Sequence, residues 1–134
     1  GELRTEIEEK IKAYGLEKSV RLFGMVSNPK DYYQAMDVMV MPSLFEGLPM
    51  VGVEAQASGL PCVFADTITR EVDVVGCPYI SLDASTEEWA KAAVTVAKLS
   101  KRRSYPKELD ELGFNIQLEA KRLEELYLAK LTER

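Results

Sequence analysis

The sequence predicts an α/β fold, a parallel sheet with helices on both faces. Two short apolar runs end abruptly, Val38-Met39-Val40-Met41 at Pro42 and Cys62-Val63-Phe64-Ala65 at Asp66. Around them lie segments whose apolar residues recur at helical spacing, such as Leu3, Ile7, Ile11 and Tyr14. Strands that are apolar throughout and alternate with amphipathic helices belong to a parallel sheet covered on both sides. In such sheets a ligand lies beyond the carboxyl ends of the strands, at the switch point of the strand order.

Taken in order, Glu2 to Tyr14 reads as a helix stopped by Gly15. Ser19 to Phe23 is the first strand, closed by Gly24. Asn28 stands as N-cap and Pro29 at the first helical position of a short helix over Asp31 to Met36. Val38 to Met41 is the second strand. Pro49 opens an apolar helix that stops at Gly59, and Cys62 to Ala65 is the third strand. Thr69 to Val75 suggests a short helical turn, and Tyr79 to Leu82 a weaker fourth strand. Thr86 to Leu99 forms a helix with Glu87 and Glu88 suited to its positive end and Trp89, Ala93, Val96 and Ala97 as its buried face. From about residue 106 a helical tail runs to the end, broken near Gly113. Its stripe of Ile116, Ala120, Leu123, Leu126, Tyr127 and Leu131 needs a surface to pack on.

The 134 residues suffice for one domain with a real core. A net charge of −5 argues against a nucleic-acid surface, which carries a basic excess. No apolar run approaches the roughly 18–20 residues that span a bilayer, and no signal-peptide pattern opens the chain. A cytoplasmic protein is expected, with peripheral placement on the inner face of the membrane as an additional option. Cys62 and Cys77 read as reduced thiols near the core and make no zinc pattern. The absence of histidine removes serine and cysteine triads, imidazole metal ligands and a histidine base. Lys101-Arg102-Arg103 reads as helix-end charge and a solvated turn rather than as a lipid contact.

The chemistry concentrates in Pro42 to Gly59, PSLFEGLPMVGVEAQASG. Glu46 lies in the loop after a strand, and Glu54 interrupts an apolar helix of Met50, Val51, Val53, Ala55 and Ala57. Free amides around Gly47, Leu48 and Met50 make the helix start an anion site. An acid on each side of such an amide cluster suits a sugar–pyrophosphate–ribose ligand. Gly24 to Val26, Pro42 to Leu48 and Asp66-Thr67 all follow predicted strand ends and should share one rim.

These residues resemble the glycosyl transferases group 1 family, retaining enzymes of the GT-B fold. The resemblance rests on two glutamates with seven residues between them, Glu46-GLPMVGV-Glu54, within PSLFEGLP and EAQASGLP. It extends over Val20 to Gly24 (VRLFG), Asp31 to Ser43 (DYYQAMDVMVMPS), Glu54 to Val63 and the helix carrying Tyr127. It implies that the chain is one partial Rossmann-like donor-binding domain, residues 1–134, the incomplete C-terminal domain of a GT-B fold. It implies that Glu46 meets donor-sugar hydroxyls as the catalytic-site acid and that Glu54 binds the ribose. The amides of Gly47, Leu48 and Met50 would face the diphosphate, Gly24, Met25 and Val26 would hold the base, and Ser43 ranks below these. No metal or other cofactor is implied. The substrates would be a nucleotide-sugar, expected to be UDP-linked, and an acceptor glycan or lipid-linked saccharide held by a domain outside this chain.

Two departures follow from the resemblance. The family's first two strands, and the Arg and Lys that clamp the diphosphate, have no counterpart here, and Gly1 to Arg4 look like the end of the turn after the second strand. With a strand order of 3-2-1-4-5-6 the missing strands are central, so Val20 to Phe23 must re-pair, meet a second copy or receive strands from another chain. Self-association through exposed sheet edges is therefore expected. A non-catalytic nucleotide-binding or assembly fragment is the competing reading. A sugar-nucleotide epimerase suits PSLFEGLP poorly, and a receiver domain suits the position of Asp37 less.

Overall fold

The computed structural model describes residues 2–132. Its centre is a sheet of three parallel strands in sequence order, β1 (Met39–Met41), β2 (Cys62–Ala65) and β3 (Tyr79–Ile80). Met39 pairs with Cys62 and Met41 with Phe64, while Phe64 and Ala65 pair with Tyr79 and Ile80. All four residues of β2 are buried. Since successive side chains point to opposite faces, β2 is covered on both. The result is an α/β, Rossmann-like arrangement.

Helix α3 (Met50–Ala57) covers one face. Gly52 lets it approach closely, because a Cβ there would lie 2.9 Å from Val72 Cγ2 and 3.1 Å from the Phe64 ring. Gln56, fully buried, ties this helix to the chain beyond β2. Its amide nitrogen donates to the carbonyls of Gly52 (2.9 Å) and Val72 (2.7 Å), and its oxygen accepts from the Val74 amide (2.8 Å) and the Cys77 thiol (3.3 Å). Every hydrogen-bonding position of that amide is used, which is what makes its burial tolerable. The helix ends at Gly59, with φ +73°, where a Cβ would lie 2.8 Å from the Arg103 carbonyl oxygen. Helix α4 (Thr86–Leu99) packs on β2 from the other side and opens on a capping box formed by Ser85 and Glu88. Two hydrogen bonds from Ser85, through its backbone amide and its hydroxyl, hold the Glu88 carboxyl below its usual range. Cys62 and Cys77 are both free and buried, and the neighbouring Cys77 thiol together with burial pushes the Cys62 thiol up. Their free, buried state matches the reduced thiols near the core that the sequence predicts.

The short helix α2 (Pro29–Ala35) lies against α3. Asn28 occupies its N-cap position, but its side chain donates to the Asp31 carboxylate (2.6 Å) instead of accepting from the backbone. Pro49 is likewise the N-cap of α3, with extended ψ, and not its first helical residue. The turn predicted over residues 69–75 is a 3₁₀ turn at Arg70–Val72.

Two predictions are overturned. Val20 to Phe23 forms no strand: the Ser19 and Val20 amides fold back onto the Leu16 carbonyl, and residues 20–23 join no ladder. An extended segment without a partner strand gains no cross-strand hydrogen bonds, and β1 keeps a free edge. Re-pairing beside β1 is therefore not how the sheet is completed. The tail divides into α5 (Pro106–Glu111) and α6 (Ile116–Thr132) around Gly113, at φ +79°. Its stripe finds no cover, for Leu123, Leu126, Tyr127 and Leu131 all stay exposed. Helix α1 (Arg4–Ala13) also buries nothing. Gly1, assigned by the resemblance to a preceding turn, lies outside the described residues.

Candidate functional site

The loops leaving β1 and β2 are fastened together at the carboxyl edge of the sheet. The Thr67 hydroxyl donates to the Ser43 carbonyl at 2.7 Å. Ser43 is half-buried and enters the site through its backbone, as a loop anchor. Glu46, also half-buried, sits further along the same loop, followed by exposed Gly47 and Leu48. Met50 then opens α3, whose first-turn amides have no carbonyl one turn behind them. The Gly52 amide is an exception, because it reaches back to the Pro49 carbonyl (2.9 Å).

Glu54 stands one helical turn further in. It is exposed, and its Oε2 accepts a hydrogen bond from the Tyr33 hydroxyl at 3.1 Å. Tyr33 comes from α2, on its buried side, and its hydroxyl is held above the ordinary tyrosine range. Burial is the main cause, and the hydrogen bond and negative charge of Glu54 add to it. The Tyr33 backbone is fixed as well: Arg102 donates to the carbonyls of Tyr33 (2.8 Å) and Met36. Arg102 thus serves a helix carboxyl end, as its basic cluster predicts, but the helix is α2 rather than the preceding α4. Neighbouring Arg103 lies 4.6 Å over the Tyr105 ring and pairs with Glu108 at 3.3 Å.

Between α2 and α3 opens a cavity of about 630 Å³, large enough for a small ligand. Lys30, Tyr33, Glu54, Ser58 and Arg102 are among its lining. Of the predicted site residues, Glu54 is the one that the described residues place in that wall. Glu46, Gly47, Leu48 and Met50 stay together around the start of α3. Gly24, with φ +69°, wholly exposed Met25 and half-buried Val26 lie on a separate loop before α2. That loop follows no strand here, so the shared rim joins two of the three predicted loops by contact.

Sequence reasoning did not single out Tyr33 or Lys30 for the site. Tyr32 and Tyr33 are adjacent in a seven-residue helix, and only the packing separates them. Tyr32 meets Phe23 edge-on at 5.2 Å, and Tyr33 turns inward to Glu54.

The glutamate pair therefore brackets a helix start at the carboxyl edge of a parallel sheet. The family model for glycosyl transferases group 1 matches residues 1–98. The chain belongs to that family. Among similar proteins, EpsF of Bacillus subtilis (strain 168), named as a glycosyltransferase, is 40% identical over 121 residues, covering 87% of this chain and 32% of its own length. The capsular polysaccharide biosynthesis glycosyltransferase CapH of Staphylococcus aureus is 28% identical over 120 residues, with the same two shares. The UDP-Gal:alpha-D-GlcNAc-diphosphoundecaprenol alpha-1,3-galactosyltransferase of Escherichia coli is 36% identical over 67 residues, 49% of this chain and 17% of its own. The chain spans about a third of the length of EpsF and CapH.

Proposed function

We propose that this chain is the donor-binding part of a retaining GT-B glycosyltransferase that works in polysaccharide assembly. Residues 1–134 form one partial domain, and the complete enzyme moves a sugar from a nucleoside diphosphate to an acceptor hydroxyl with retention. The observation that carries the proposal is the placement of Glu46 and Glu54 on either side of the α3 start, at the carboxyl edge of the sheet. Glu46 meets the donor sugar, the amides of Gly47, Leu48 and Met50 face the diphosphate, and Glu54 takes the ribose. Gly24 to Val26 close over the base, and Ser43 holds the loop. Developing charge on the leaving diphosphate is neutralised by amides and cations without a metal.

UDP is the proposed carrier, supported by the Escherichia coli relative, which is named for a UDP-Gal donor and a diphosphoundecaprenol-linked acceptor. A lipid-linked acceptor would place the enzyme in the cytoplasm, peripheral to the inner face of the membrane. Among the described residues no helix is long and apolar enough to cross a membrane. The acceptor is held by a domain outside this chain, and the free edge of β1 is met by strands outside it or by a second copy.

Calorimetric titration with UDP and ADP, on the parent and on Glu54→Ala, tests the assignment. UDP binding that is lost in the variant supports a self-sufficient donor site. Failure of the parent to bind either nucleotide favours the second reading, a folding or assembly fragment, for which the free β1 edge is the specific observation.

A further inference from the structure

An exposed glutamate on a helix has three rotatable side-chain bonds and samples many orientations. Glu54 is restrained, because its Oε2 is held 3.1 Å from the Tyr33 hydroxyl. A carboxylate only accepts hydrogen bonds, so the tyrosine is the donor and its geometry dictates where the carboxylate plane lies. Tyr33 is itself fixed at both ends. The residue is 9% exposed, and its carbonyl accepts from Arg102, which comes from 69 residues further along the chain. Packing alone would be satisfied by phenylalanine at this buried position. A hydroxyl there is useful if something needs the glutamate held still. The second oxygen of Glu54 remains available beside the cavity between α2 and α3.

We propose that Tyr33 is a positioning residue for ribose recognition, holding one Glu54 oxygen so that the other accepts the ribose hydroxyls. The inference rests on the reading of Glu54 as the ribose contact. Arg102 completes the chain of restraint, from the carboxyl end of α2 through Tyr33 to the ligand-facing carboxylate. The ligand class is a ribonucleoside diphosphate, and the feature selected is the pair of ribose hydroxyls rather than the base.

The test compares affinities for UDP and for its 2′,3′-dideoxy analogue, with the ADP pair in parallel, in the parent, Tyr33→Phe and Glu54→Ala. Hydrogen bonds to a charged group predict that the parent prefers the ribonucleotide by about tenfold to a hundredfold. Tyr33→Phe should lower that preference roughly threefold to tenfold, with dideoxy affinity unchanged, and Glu54→Ala should abolish it. A Tyr33→Phe protein that keeps the parental preference while Glu54→Ala loses it overturns the positioning role and leaves the ribose assignment standing. A preference that survives Glu54→Ala, or a parent that binds neither nucleotide, overturns the ribose assignment and the inference together. Equal weakening toward both ligands in Tyr33→Phe means a purely structural tyrosine and also overturns it. If that variant does not fold, the ¹³Cζ resonance of Tyr33 in the parent decides. It should shift on binding UDP and stay in place with the dideoxy analogue, and a resonance unmoved by bound UDP contradicts the inference.

Discussion

Residues 2–28 and residues 29–99 are built on opposite terms. Every buried residue of the described chain falls between Tyr33 and Cys77, and none lies in the first 28. In the later region β2 is covered on both faces and Gln56 satisfies its four hydrogen bonds internally. In the earlier region Leu3, Phe23 and Met25 stand 65%, 60% and 101% exposed, and the predicted first strand pairs with no strand among the described residues. Local sequence preference is thus enough for a helix such as α1, whose Arg4–Glu8 and Lys10–Glu6 pairs are local. It is not enough for a strand, whose hydrogen bonds belong to a neighbour. The core around β2 is thus closed on both faces, whereas residues 2–28 contribute no buried residue to it.

Substitutions should divide along the same line. Phe64→Ala, at a fully buried position, is expected to cost about 3–5 kcal/mol in denaturant unfolding. A loss below about 1 kcal/mol would show that the core is not where the stability lies. Gln56→Met removes the partners of the Val72 carbonyl and the Val74 amide and should cost about 2–4 kcal/mol, read from the same curves. Gly52→Ala overpacks α3 against Phe64 and Val72, with an expected loss of about 1–3 kcal/mol. Phe23→Ala should change the unfolding midpoint little, within about 0.5 kcal/mol, because the ring is mostly exposed. A large loss there would break the comparison by showing a hidden role for the amino-terminal segment.

Acidity gives the smallest effect. The Glu88 carboxyl is held below its unfolded value, so the folded chain binds that proton less readily. The stability it adds is present above the unfolded pKa and declines as pH falls through the folded one. Urea midpoints of the parent should therefore fall more on acidification than those of Glu88→Gln. Identical pH profiles would remove the capping box from the account.

Much of this was legible in the sequence because it rests on local rules. The apolar runs at Val38 to Met41 and Cys62 to Ala65, the helix of Thr86 to Leu99 and the glycine at position 59 each announce their element within a few residues. Val20 to Phe23 has equally good strand composition, yet strand formation is a property of pairs, and among the described residues no strand pairs with it. The exposed stripe of α6 misleads for the same reason, since periodicity shows that a face needs cover and not where the cover is. At the site, Glu46 and Glu54 stand out through the family motif around them, PSLFEGLP and EAQASGLP. Tyr33 does not, because choosing it over Tyr32 requires knowing which side of α2 meets α3. The tie from Arg102 to α2 spans 69 residues and leaves no local signal.

Amide hydrogen exchange of this chain with and without UDP would test the donor-site claim most directly, because it reports where a ligand sits. Slower exchange confined to Gly47, Leu48, Met50 and the loop of Gly24 to Val26 is the predicted result. Bound UDP that leaves those amides unchanged, and protects only residues 57–59 and 102–104 in the wall of the cavity, would contradict it.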